Sequence, residues 1–310
     1  MQSSKQFHRF VMGMGMVLAL GLAGEAPAQG GFFNAVKKAA GAVTGTDAPA
    51  QDSTQDLVES GADLADSARG PRQDYELGYH VSALLLGKYA VLPVEHPATS
   101  YLYAVGSTLV MATQLPYAYR PYTFTVIDAP EELNAFAAPG GFVFITSGML
   151  KFLQSEDELA AVLAHEIAHV ELGHGPKSVT KETRSKFFRS LASVAVSQTA
   201  VGSAAGSLGT DAFDAMVGGV ASSVIGGYSR TFEGNADKRG AEVCLAVGYD
   251  PKVLADVLER FQSTTGSYGG ANYPKERGKD LEKHVGKLKA NDESVLPERT
   301  ARFTAMQATL

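Results

Sequence analysis

Little in this chain carries an excess of positive charge. Lys and Arg total 27 against 33 Asp and Glu, giving a net charge of -6 and a pI near 5.7. Without a basic surplus to neutralise phosphates, nucleic acid is excluded as a main partner. Cysteine is almost absent. Cys244 stands alone, so no intrachain disulfide can form, and a lone small apolar side chain reads as a core residue. Long apolar runs are missing too. "FVMGMGMVLALGLAG" at 10–24 spans 15 residues, short of the roughly 20 that a bilayer crossing needs. No 34-residue repeat appears after residue 265, which excludes a helical-repeat array.

That short run has the layout of an export signal. Lys5, His8 and Arg9 precede it, and Ala26-Pro27-Ala28 follows as a small-x-small cleavage pattern. Cleavage after Ala28 is expected, with an exported product, periplasmic in a bacterium or otherwise secreted. No cysteine lies nearby to support a lipid anchor. Residues 29–73 read as a flexible tether, with linker composition in "GTDAPAQDSTQD" at 45–56. A folded domain is expected over 74–310, where an apolar content of 45% for the whole chain provides for a sizeable core.

Within that domain the pattern predicts helices near 74–91, 98–114, 155–175, 177–205, 210–227, 230–247 and 251–264. Strands are expected at "YTFTVID" (122–128) and "GFVFITS" (141–147), with turn residues between them. The stretch 187–227 is apolar but rich in Ser, Ala and Gly, and read as a hairpin it places Asp211 and Asp214 at the turn. A soluble or membrane-touching helical hairpin fits its weak hydropathy better than a true span.

Chemistry concentrates in "VLAHEIAHVELGHG" at 162–175. His165 and His169 are four apart and share one helix face, where both imidazoles reach one ion. Glu166 lies beside them as a proton acceptor. Zinc suits such nitrogen ligands but requires a third from the protein. His174 is a poor choice, since about 100° per residue carries it roughly 180° around an unbroken helix from His165. The longer metzincin pattern, with its returning histidine, would need Gly at 172 and His at 175. The chain has Leu172 and Gly175 instead. A second helix, "YSRTFEGNADKRG" at 228–240, carries Glu233 and Asp237 four residues apart. Glu233 is the candidate third ligand and Asp237 the candidate partner of a ligand histidine, although such spacing equally describes a solvated charged face.

HExxH followed by ExxxD resembles the M48 family of zinc metallopeptidases, which includes CAAX prenyl endopeptidases, HtpX-like membrane proteases and periplasmic quality-control proteases. The likeness extends over "YLYAVGSTL" (101–109), "FTVIDAPEELNAFAAPGGFVFITSGML" (124–150), "EDELAAVLAHEIAHVELGH" (156–174) and Pro297-Glu298-Arg299, roughly 74–302 in all. The resemblance implies a mainly helical α+β fold, gluzincin-like, with a small β-sheet flanking the HExxH helix. It matches "GGFVFI" to the sheet's edge strand, which can pair with an extended substrate. It implies one zinc ion per subunit on His165, His169 and Glu233, with Asp237 partnering a ligand histidine and His174 outside the ligand set. Glu166 is then general base and acid, and Arg299 is expected to meet developing negative charge or to brace Asp237. Zinc-dependent endoproteolysis of exported, misfolded or misassembled envelope proteins follows, with extended or unfolded polypeptides and outer-membrane or envelope assembly proteins as partners. One departure stands out: many members have a His-Pro six residues before the late arginine, but here Glu293 and Ser294 occupy those positions. His284 or Glu293 takes that role, or it is absent. The absence favours a rival reading, a periplasmic chaperone or assembly factor that uses the same zinc groove with little cutting. A closed structural zinc site is a further rival, opposed by the intact Glu166.

Overall fold

The computed structural model describes residues 70–115, 119–184, 186–187, 205–265, 277–288 and 297–310, with 205–212 described by their backbone alone. The expected export signal, most of the tether, the predicted 188–204 helical segment and Glu293 lie outside these residues. All described residues fall in the compact unit that spans 58–310.

Two helices, α1 (Pro71–Leu86) and α2 (Pro97–Val110), open the domain, each with proline in its first turn, where the missing N–H costs no helical bond. Three strands follow: β1 (Thr123–Ile127), β2 (Ala135–Ala138) and β3 (Phe142–Thr146). Then come α3 (Ser147–Phe152), α4 (Glu156–Glu171), α5 (His174–Ser178), α6 (Ala205–Gly226), α7 (Arg230–Ala246), α8 (Val253–Thr265), α9 (Arg277–Val285) and α10 (Pro297–Gln307). The fold is the expected mainly helical α+β arrangement with a small sheet beside the HExxH helix.

The sheet order is β1-β3-β2, with β1 parallel and β2 antiparallel to β3. This corrects the expectation that "GGFVFI" forms the edge. β3 is the central strand, because its side chains from Val143 to Thr146 are all buried and both of its backbone edges are paired. The edge strand beside the site is β2, built from "AFAA" within a stretch that reads as turns in the sequence. Side chains alternate across the sheet with the period-two geometry of strands. Val143 and Ile145 face a core shared with α2, α4, α7, α8, α9 and α10. Phe144 and Phe136 face a second core shared with α1 and α6.

Helix α6 settles part of the reading of 187–227. It packs Met216, Val220 and Val224 into the second core. Asp211 and Asp214 lie within this helix rather than at a turn. Among the described residues no helix is long and apolar enough to cross a membrane.

Candidate metal centre

Helix α4 carries the HExxH residues and is buried from Glu156 through His169. Ser155 starts it by accepting a hydrogen bond from the Glu158 N–H at 3.2 Å, a cap worth about 1 kcal/mol. The three acidic residues of its first turn suit the positive end of the helix dipole. Each is also gripped by an arginine: Glu156 by Arg302, Asp157 by Arg299 at 3.0 Å, and Glu158 by Arg260. Tyr249 adds a hydrogen bond to Glu156 at 2.9 Å. Burial alone raises the Glu156 pKa, but hydrogen bonds from Arg302, Tyr101 and Tyr249 outweigh it and hold the carboxyl below its usual value.

At the other end the helix stops at Leu172, and Gly173 takes a left-handed φ of 65°. That break turns His174 back against the helix it has just left. Helix α7 lies directly across α4. A Cβ on Gly240 would sit 3.0 Å from the His165 backbone nitrogen, so only glycine permits this approach without displacement.

The crossing brings three side chains together. Ligand atoms of His165, His169 and Glu233, all buried, lie within 4.8 Å of one another. Nε2 of His165 and Nε2 of His169 are 3.0 Å apart. Glu233 Oε2 lies 3.4 Å from the first and 3.9 Å from the second. Two atoms each about 2.0–2.1 Å from a tetrahedral centre stand roughly 3.3–3.4 Å apart, so these separations bracket what zinc needs. Two imidazoles and one carboxylate are also the donor set of an open, catalytic zinc site.

Each imidazole is oriented from behind. His165 Nδ1 lies 2.9 Å from Asp237 Oδ1, which turns Nε2 toward the shared centre. His169 Nδ1 lies 2.9 Å from His174 Nδ1. Burial, then the charges of Lys177 and His165, pushes His174 down to about 4, and burial also lowers His169, so both rings are neutral and one of the two Nδ1 atoms carries the shared proton. Ligation of a metal through His169 Nε2 would place that proton on His169 Nδ1. The His174 ring is itself stacked on Phe232, centroids 4.4 Å apart and planes 6° apart. For His165, burial lowers the pKa, but contacts with Asp237 and Glu233 dominate and push it up to about 10. Burial likewise raises the Glu233 pKa, yet the neighbouring His165 and His169, followed by Arg277, bring it down to about 2.

Glu166 lines the same cavity as the three clustered residues. Burial pushes its carboxyl up to about 8, against the opposing charge of His165, and the Ala137 backbone N–H of β2 donates to it. The cavity, about 150 Å³, is lined mostly by apolar side chains, including Met149, Val162, Val224, Leu254 and Leu258, with Asn134, Tyr228 and Arg277 as further polar groups. A mostly apolar cleft with a few convergent polar groups is the usual form of an active site.

The structure thus brings His165, Glu166, His169, Glu233 and Asp237 together, and places Arg299 elsewhere. Arg299 sits over the Tyr249 ring at 4.5 Å and pairs with Asp157, at the far end of α4 from the histidines. The brace on Asp237 is Arg277 instead: Nε donates to Oδ2 at 2.8 Å and Nη2 to Oδ1 at 2.7 Å. Nη2 also lies 3.3 Å from Glu233 Oε2. Arg277 escaped notice in the sequence because "YPKERGKD" reads as a solvated charged run, with no partner in register. His284 does not enter the cavity. It pairs with Glu242 at 3.4 Å, nine residues along α7 from Glu233 and about 180° around that helix. Tyr228, whose ring lies against His169 with centroids 4.5 Å apart, is a further residue of the site that sequence reasoning passed over.

Comparison with known proteins gives this geometry its context. The family model described as "Peptidase family M48" matches residues 98–292. The beta-barrel assembly-enhancing protease of Escherichia coli (strain K12) is 28% identical over 69% of this chain and 42% of its own length. A putative beta-barrel assembly-enhancing protease of Vibrio cholerae is 35% identical over 45% of this chain and 28% of its own. The mitochondrial metalloendopeptidase OMA1 of Schizosaccharomyces pombe is 28% identical over 58% of this chain and 49% of its own. The chain therefore spans less than half the length of these relatives.

Proposed function

This chain belongs to peptidase family M48, and from that premise we propose that it is a zinc metalloendopeptidase acting on extended stretches of exported polypeptides. The observation that carries the reading is the convergence of His165, His169 and Glu233 beside Glu166 in one cavity. Bound there, Zn²⁺ would supply Lewis acidity, lowering the pKa of a water and polarising the scissile carbonyl. The chain's own residues do the rest. Asp237, gripped by Arg277, holds His165 in the tautomer that ligates, and His174 does the same for His169. Glu166 takes the attacking water's proton on its carboxylate and returns it to the departing amine. The raised pKa of this buried carboxyl supports that role, since a base that must also act as an acid works best near the operating pH. The outer edge of β2 borders the cavity through Asn134, Ala135 and Ala137 and supports alignment of an extended backbone along it.

Residues 1–28 are proposed as the export signal and 29–73 as a tether, which makes the periplasm the working compartment. Misfolded or misassembled envelope proteins are the proposed substrates, supported by the names of the bacterial relatives. The missing late His-Pro favours the alternative, a chaperone or assembly factor that holds chains in the same groove. Casein digestion by the full chain, with and without chelator and with Glu166→Gln, tests the catalytic reading. Cleavage that needs metal and disappears in the variant is expected. A Glu166→Gln protein that keeps the cellular role would transfer the function to the chaperone reading.

A further inference from the structure

Two cavities meet at the candidate site. The first, about 150 Å³, holds the clustered histidines and Glu233. The second, about 330 Å³, runs past the far end of β2, where Ala138, Pro139 and Gly140 line it. Among the described residues three line both: Ala137, His169 and Tyr228. A chain laid along β2 crosses from one cavity to the other at this point. There it passes an expected metal ligand, the β2 residue whose N–H reaches Glu166, and the Tyr228 ring.

Tyr228 is held firmly at that crossing. Its ring stacks on His169 with planes 25° apart. Its backbone N–H donates to Glu233 Oε1 at 3.0 Å. The preceding Gly227 takes a φ of 82°, which sets the turn that delivers the ring. Its hydroxyl, by contrast, makes no hydrogen bond to any described residue. Among the described residues, the other side-chain donors lining the first cavity besides the clustered histidines are engaged: Arg277 forks onto Asp237, and the Asn134 amide donates to Glu132 at 3.3 Å. The histidine expected near the C-terminus is replaced by Glu293, and His284 faces Glu242. Where the carbonyl oxygen acquires charge a donor is needed, and among the described residues that line both cavities Tyr228 carries an uncommitted O–H.

Building on the hydrolysis proposed above, we propose that Tyr228 is a catalytic residue whose phenolic O–H donates a hydrogen bond to the scissile carbonyl oxygen as that oxygen becomes negative. The water oxygen bonds to the carbonyl carbon while its proton passes to Glu166. The C=O electron pair moves onto the oxygen, where Tyr228 meets it without giving up its proton. The C–N bond then breaks, the pair returns to the carbonyl, and the Glu166 proton leaves on the amine. Such a donor contributes only as charge develops, so its loss lowers kcat rather than ground-state binding.

Tyr228→Phe in the full chain tests this, since it keeps the ring on His169 and removes only the hydroxyl. An internally quenched casein-derived peptide gives kcat and KM, and calorimetry gives zinc affinity and the Kd of a phosphinic pseudopeptide, a tetrahedral anionic mimic. The expected result is a kcat about 10²–10³-fold lower with KM within about twofold, unchanged zinc affinity, and phosphinic binding weakened in step with kcat. Tyr228→Leu removes the ring as well, and lowers zinc affinity if the stack also steadies His169. A Tyr228→Phe enzyme with kcat and phosphinic affinity within about threefold of wild type overturns the assignment while leaving the peptidase reading intact. A wild-type protein that cleaves nothing, with zinc bound, overturns both.

Discussion

Arg277 and Asp237, 40 residues apart in sequence, form a buried two-pronged ion pair at 2.7 and 2.8 Å. Asp237 Oδ1 is shared between this arginine and His165. Burial alone would raise the Asp237 pKa, but Arg277, then His165, holds it far below the ordinary carboxylate value. Removing the arginine strands a buried negative charge. Arg277→Ala is expected to cost about 3–5 kcal/mol of stability in urea unfolding. Zinc affinity, read by chelator competition, is expected to fall about 10–100-fold, because His165 loses its fixed orientation. Arg277→Lys restores charge without the fork and recovers only part of either loss. Wild-type zinc affinity in the alanine variant would mean that Asp237 orients His165 unaided.

The approach of α7 to α4 depends on a single absent methyl group. A Cβ at Gly240 meets the backbone nitrogen and Cα of His165 at 3.0 and 3.1 Å and the Ala164 carbonyl carbon at 3.2 Å. Backbone yields less than a side-chain tip, so Gly240→Ala must push the two helices apart. Glu233 rides on α7 and His165 on α4, so the substitution spreads the ligand set. Zinc affinity is expected to fall by at least about tenfold, with a stability loss of about 1–3 kcal/mol from overpacking. Gly218, whose added Cβ meets nothing within 4 Å, is the matched control, and Gly218→Ala should leave zinc affinity unchanged.

These two residues show what the sequence discloses and what it withholds. His165, Glu166 and His169 were legible because four-residue spacing on one helix is a local rule. Their helix was equally plain, with its Ser155 cap and acidic first turn. Glu233 and Asp237 were legible as a pair, but spacing could not separate a ligand set from a solvated face, and the family resemblance supplied that choice. Arg277, Tyr228 and Gly240 act through tertiary contacts 40 to 75 residues distant in sequence. Nothing local marks a charged residue at a helix start that will fork onto a buried aspartate. Strand β2 was hidden for a similar reason. "AFAA" has weak strand propensity, and its pairing with β3 alone makes it a strand. Arg299 was misplaced because a motif likeness gave it a role without a location.

The clamp on the first turn of α4 contributes to the acid limit of stability, alongside the more strongly depressed Glu233 and Asp237. Glu156 is buried and ion-paired with Arg302, and its folded pKa lies below the unfolded value. A depressed carboxylate pKa contributes stability that is present above the unfolded pKa, about 4.3, and is lost as pH falls through the folded one. Urea midpoints should therefore drop on acidification below about pH 4.3. Glu156→Gln should lower the midpoint at neutral pH and flatten that drop. An equally steep acid limb in the variant would assign the loss to other carboxylates.

Metal loading separates the residues that bind from the one that reacts. Zinc that binds only the folded chain adds stability as RT ln(1 + [L]/Kd), about 2.7 kcal/mol at 100 times Kd. The wild-type unfolding midpoint should rise with added zinc and fall back with chelator. His169→Ala and Glu233→Ala each remove one of the three clustered donors, so both should abolish most of the rise. Glu166→Gln keeps all three donors and replaces a carboxylate that burial already inclines toward its neutral form. Its zinc-dependent rise should match or exceed that of the wild type while hydrolysis is lost. A rise abolished in Glu166→Gln would place Glu166 among the ligands and leave the proposed proton transfer without its carrier.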